Sequence, residues 1–271
     1  MSSSTGSTDF LSLYGDNTKE LYTERFYDAM NNEHKDLQNY HHKCKDIIVN
    51  QKGRENMILI CKKYLRFLDK SKSWRNVDTG YNISLLLNYW LYEKLIGIYG
   101  PNNDELIRQG FSALQQKWDT FDSSIIHESY YEKCKPNLKM VNNTDWDKRK
   151  ELYDYCVDYG YFSIMAKVHD DDCKYYKKIK DKMSLYTYFE EECSPEKSNC
   201  PDFFNQCKSY NPKLVLSTLK CYKEVPEERP PEYADPAKES PSYSPTQESQ
   251  FRADRSGLGL QGAAVSAQDT Q

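Results

Sequence analysis

The sequence holds no Cys-x-x-Cys pair among its nine cysteines, which argues against zinc ribbons and thioredoxin-like redox sites. Glycine is scarce, at 11 of 271 residues, and there is no Gly-rich phosphate loop, no Gly-x-Ser-x-Gly elbow and no His-Glu-x-x-His pair. Enzyme chemistry therefore has little to stand on, and no cofactor is implied. Basic charge is not in excess: 37 Lys and Arg face 41 Asp and Glu, a net charge of -4, with no basic stripe interleaved with aromatics, so nucleic acid is not expected as a partner. No apolar run is long enough to span a bilayer. The longest stretch, Ile83 to Tyr99, is interrupted by Asn88, Glu93 and Lys94. The first nine residues, rich in Ser and Thr, have neither the basic start nor the apolar centre of a cleavable signal peptide. Sustained β-branched alternation is missing too, so strands are not expected to dominate.

What the chain does have is tyrosine, cysteine and helical periodicity. Twenty-three tyrosines against a mean hydropathy of -0.89 mean that much of the core must come from rings with a polar tip. Met57, Ile60, Cys61, Tyr64, Leu65 and Leu68 follow an i, i+3, i+4, i+7 pattern, leaving Lys62, Lys63 and Arg66 for water. Ile83, Leu86, Leu87, Trp90, Leu91, Leu95 and Ile98 repeat it more strongly, with Gly97 and Gly100-Pro101 as a stop signal. A third helix carries Ile107, Phe111, Leu114, Trp118 and Phe121. A loop follows at Cys134 and Pro136, and then a fourth helix with Leu152, Tyr155, Cys156, Tyr159 and Phe162, capped by Thr144 or Asp145. Short helices are expected near 171–182 and 212–222, with an irregular segment between them. The fold class is all-α.

The organisation reads as a flexible leader over residues 1–18, a helical domain over 19–223, and a disordered Pro- and Ser-rich stalk over 224–271. Six of the eleven prolines lie after Val225, among Ser, Glu and Gln, and such a segment cannot repay its ordering entropy. As a flexible coil it would span roughly 40 Å.

The cysteines are Cys44, Cys61, Cys134, Cys156, Cys173, Cys193, Cys200, Cys207 and Cys221. Structural disulfides in an oxidising compartment suit this spacing, and each contributes about 2–4 kcal/mol where the apolar core is lean. The odd total leaves one unpaired. The competing readings are an intracellular helical scaffold with free thiols, and a metal or hydrolase site at His169 and Cys173, which lie four apart on one helical face. Against the second, the three aspartates between them suit a solvated helix start. Tyr64, Tyr89 and Tyr159 are expected in the core or its rim, whereas Tyr130 and Tyr131 are candidates for an exposed recognition loop. Sequons at Asn82 and Asn142 are weak signals, since Asn82 falls on the second helix.

Tyr81-Asn82-Ile83-Ser84-Leu85-Leu86-Leu87-Asn88-Tyr89-Trp90-Leu91-Tyr92 resembles the Leu-Asn-Tyr-Trp-Leu-Tyr signature of the Plasmodium interspersed repeat antigens, in particular their vivax branch. A second block, Leu152 to Tyr159 followed by Cys173-Lys174-Tyr175-Tyr176 and Tyr186 to Cys193, resembles the same family's tyrosine and cysteine motif. Leu87, Trp90, Leu91, Leu152, Tyr155 and Tyr159 carry the core of that signature. The resemblance implies a helical, disulfide-bonded ectodomain with no enzymatic activity. It implies a blood-stage parasite protein exported to the infected red cell, at its surface or membrane-associated. Antigenic variation, adhesion to host cells and immune evasion go with it, the partners being a host protein or cell-surface ligand and antibodies. Family members usually carry a membrane helix after the stalk, so membrane attachment is expected only through a segment absent from this chain. Ser84 departs from the pattern, standing where a cysteine is expected three residues before Leu87. The loss of that partner points to Cys44 or Cys61 as the unpaired thiol.

Overall fold

The computed structural model describes residues 5–72, 74, 80–121 and 130–223. All of them fall in the first of the two units into which the chain divides, residues 1–226 and 227–271. The stalk expected over 224–271 lies outside the described residues. Among the described residues there are helices and turns and no strands, so the protein is all-α. The helices are α1 (Thr5–Tyr14), α2 (Tyr22–Asn31), α3 (His41–Cys44), α4 (Arg54–Ser71), α5 (Ile83–Tyr99), α6 (Asp104–Phe121), α7 (Trp146–Val168), α8 (Lys174–Lys180), α9 (Met183–Glu192), α10 (Phe204–Cys207) and α11 (Pro212–Val215). Short 3-10 turns connect several of them, including Tyr130–Cys134 and Lys220–Lys223.

The centre is α5, apolar around most of its surface and buried over most of its length, with Glu93 and Gly97 exposed. It packs on α4, α6 and α7. The approach of α6 is close because Gly110 has no side chain: a Cβ there would meet Leu95 Cδ2 at 2.5 Å. The α5 stop works as read, with Gly100 at φ 88° donating its N–H to the Ile96 carbonyl at 2.7 Å.

Several sequence expectations need correction. Residues 1–18 are not a frayed leader throughout: α1 forms, and Phe10, Leu11 and Tyr14 are buried in the core. Phe10 packs edge-on against Phe67 and near Trp74, with ring centroids 5.1 and 6.4 Å away. This helix, with α2, lies on α4 and covers the face assigned to water. Arg66 is consequently fully buried and Lys63 nearly so. Arg66 lies 4.2 Å over the Tyr14 ring, donates to the Ala29 carbonyl at 2.8 Å and faces Asp36 at 3.6 Å. Burial pulls its pKa below the ordinary guanidinium value. Lys63 donates to the Asn31 carbonyl at 2.6 Å, at the C-terminal end of α2 where cations are favoured.

One helix end is capped by a partner distant in sequence. Leu21 precedes α2 and has no side chain to cap it, and Asp158 of α7 takes the role, accepting from the backbone N–H of Tyr22 at 2.9 Å and of Thr23 at 3.3 Å, and from the Thr23 hydroxyl. Asp145, expected as a side-chain cap, directs its carboxylate instead to Arg149 Nε at 2.6 Å and the Tyr188 hydroxyl at 3.2 Å. The short helix expected near 171–182 is α8, and a further helix that was not expected, α9, follows it and reaches Glu192.

Candidate recognition surface

The cysteines pair as Cys44 with Cys61, Cys156 with Cys207, Cys173 with Cys221, and Cys193 with Cys200. The unpaired one is Cys134, so the assignment of the free thiol to Cys44 or Cys61 is overturned. The reason is local: α3 ends at Cys44 beside α4, and Cys44 and Cys61 stand 5.8 Å apart at Cα, within bonding reach. Cys134 is fully buried, its Sγ 3.3 Å from the Tyr130 carbonyl, and burial pushes its thiol pKa well up. It is a poor nucleophile there. The His169 and Cys173 site is excluded as well, because Cys173 is covalently bound to Cys221 and offers no thiolate. Of the three aspartates, Asp170 is not solvated: it is fully buried and accepts the N–H groups of Tyr175 and Tyr176 at 2.8 and 2.7 Å, holding the start of α8. Among the described residues no group of three or more His, Cys, Asp or Glu could hold a metal ion.

The six signature residues are structural. Leu87, Trp90, Leu91, Leu152 and Tyr155 are buried where α5 and α7 meet the rest of the core. The Trp90 indole donates to Asn31 Oδ1 at 3.0 Å, which ties α5 to the end of α2. The Tyr155 hydroxyl donates to the Tyr210 carbonyl at 2.9 Å, and half-buried Tyr159 stacks on the Tyr210 ring at 4.2 Å. Tyrosine thus serves both halves of its chemistry, with the ring inside and the hydroxyl on an otherwise unpaired carbonyl. Tyr64 and Tyr89 are buried too.

Tyr130 and Tyr131 are not an exposed loop. Both are buried, since the turn at Tyr130–Cys134 is wedged between α4 and α5. The Tyr130 N–H donates to the Trp74 carbonyl at 3.0 Å and its hydroxyl to Asn82 Oδ1 at 3.2 Å. Tyr131 stacks on Trp118 at 5.4 Å and donates its hydroxyl to the Trp118 carbonyl.

What is left exposed differs in kind. A polar cleft of about 490 Å³ opens beside the start of α5, bounded by the segments 82–88, 133–137 and 202–206 and by Tyr153. A more apolar groove of about 470 Å³ runs between α4 and α5, with Leu59, Ile60, Trp90 and Ile98 on its walls. The Cys193–Cys200 disulfide closes a loop in which Pro195 to Asn199 are exposed. Buried Arg149 anchors it by donating to the Asn199 carbonyl and side chain, both at 2.8 Å. Sequence reasoning missed the cleft and the groove because each is assembled from segments far apart in the chain.

These features define a tyrosine-rich all-α domain stapled by disulfides, with no helix among the described residues long and apolar enough to cross a membrane. The model of the family described as Plasmodium vivax Vir protein matches residues 21–268, and the chain belongs to that family. A comparison with curated proteins returns no match, and one with solved structures returns none.

Proposed function

We propose that the chain is a variant antigen of a blood-stage malaria parasite, exported to the infected red cell, where its helical domain meets a host protein or cell-surface ligand and antibodies. It acts in adhesion, antigenic variation and immune evasion, without catalysing a reaction. The observation that carries this reading is the pairing of eight of the nine cysteines in a member of the Vir family. Disulfides persist in oxidising surroundings, so the pairing weighs against an intracellular scaffold with free thiols. Surface protease treatment of intact infected cells, compared with permeabilised ones, is the test. Loss of the domain from intact cells is expected, and full protection until permeabilisation would overturn the exported reading.

A further inference from the structure

We infer that the polar cleft beside the start of α5 is a binding site for an acidic saccharide. The cleft's size, about 490 Å³, lies within the range of small-ligand sites, yet its walls differ from the apolar lining that drug-like ligands prefer. Three segments distant in sequence bring it polar groups that the fold itself leaves unused. Among the described residues, no hydrogen bond or ion pair engages the Lys133 ammonium, the Asp202 carboxylate or the Gln206 amide. Asn137 uses its carbonyl oxygen on the Lys139 N–H at 3.1 Å and keeps its amide nitrogen. Lys133 lies 5.4 Å over the Tyr130 ring and is not paired with Asp202. Both charges are therefore available to a ligand.

The rest of the cleft is fixed in place. The Tyr153 hydroxyl accepts the Asn82 N–H at 2.6 Å and donates to the Asn82 carbonyl at 2.9 Å, and its ring packs edge-on against Phe203 at 4.7 Å. Asn88 is held at both ends of its amide, donating to the Ser84 carbonyl at 2.8 Å and accepting the Asn137 N–H at 2.7 Å. A rigid floor with unused amides, a carboxylate and a cation at its mouth suits a ligand rich in hydroxyls, since each hydroxyl both donates and accepts. Asp202 would take a pair of adjacent hydroxyls, and Lys133 would take a carboxylate by a charge-assisted hydrogen bond. A purely apolar ligand would strand all of these groups, and a simple inorganic anion would use only the lysine.

This assignment names a ligand class for the recognition proposed above and rests on that reading only for its biological meaning. The test is saturation-transfer NMR and titration of the disulfide-bonded protein with glucuronate, glucose and inorganic phosphate at millimolar concentrations. Glucuronate should bind more tightly than glucose, and phosphate should not displace it. Lys133→Ala should weaken glucuronate about tenfold and leave glucose unchanged, the size of one hydrogen bond to a charged group. Asp202→Ala should weaken both sugars. Lys133 and Asp202 are exposed, so neither variant should shift the melting temperature. The proposal is overturned if glucuronate does not bind, if the two variants bind it as the parent does, or if phosphate alone competes fully. Saccharide binding without protease-accessible display on infected cells would instead sink the exported-antigen reading and leave this one standing.

Discussion

The two ends of the domain are held by different physics. Residues 5–121 build long helices around α4 and α5, with Phe10, Phe26, Phe67, Leu86, Leu87, Trp90 and Phe111 fully buried and one disulfide, Cys44–Cys61. Residues 146–223 have one long helix, α7, followed by short pieces, and carry the other three disulfides. Helices of a few residues are not stable alone, because nucleation costs more than so few hydrogen bonds return. Cross-links make up for that. In the chain-entropy picture the bridges closing 51 and 48 residues contribute about 4 kcal/mol each, the 17-residue bridge about 3 and the 7-residue bridge about 2. The lesson is that sulfur supports the part of the chain whose helices are too short to form a core unaided, while the part with long amphipathic helices relies on burial.

Complete reduction is the strongest way to break this comparison. Hydrogen exchange under reducing conditions should strip protection from α8 to α11 while α4 and α5 retain most of theirs, a difference of several kcal/mol in local opening. Equal loss in both halves would mean that one cooperative unit depends on sulfur throughout. A narrower cut is to replace single pairs. Cys173→Ser with Cys221→Ser should cost about 4 kcal/mol, and Cys193→Ser with Cys200→Ser about 2, read from urea midpoints. A larger loss from the short loop than from the long one would reverse the entropic ordering.

A pH-dependent effect of about the same size as the loss from the short loop sits at the seam between the halves, where Asp158 of α7 caps α2. Burial raises its carboxyl pKa from 3.8 to about 6 despite the N–H groups it accepts. The folded protein therefore holds a proton between about pH 4 and 6 that the unfolded chain releases. Stability from this group grows as pH falls from about 6 to about 4 and is lost over the same window as pH rises through the folded-state pKa, by about 2–3 kcal/mol in full. Asp158→Asn keeps an acceptor for the Tyr22 and Thr23 N–H groups and removes the titration. The variant's melting temperature should exceed the parent's at pH 7, and the gap should close by pH 4. A gap independent of pH would show that the seam is held by packing and not by the state of this carboxyl.

Much of the fold can be read from residue order, and the misreadings share one cause. The α4, α5, α6 and α7 helices follow from apolar spacing, because a stripe of Leu, Ile and Tyr at helical period has one stable use. Arg66 and Lys63 read as solvated because periodicity assigns a polar residue to the outside; α1 and α2 cover that side, and spacing within α4 holds no record of them. The clue to α1 was Phe10, Leu11 and Tyr14, apolar residues at i, i+1 and i+4 after a polar start. Tyr130 and Tyr131 read as exposed because a short polar turn looks like a loop, yet Trp74, Asn82 and Trp118 supply the ring contacts and acceptors that draw them in. The polar cleft had no linear signal, as its groups come from three segments.

Residue order alone determined that this protein is helical, where its long helices lie and that cysteine must support it, since periodicity and composition are properties of neighbours along the chain. Which cysteines join, which charges are buried and where an unused set of polar groups faces solvent were decided only in three dimensions. Those outcomes depend on which distant segments come within a few ångströms of each other, and packing sets that distance.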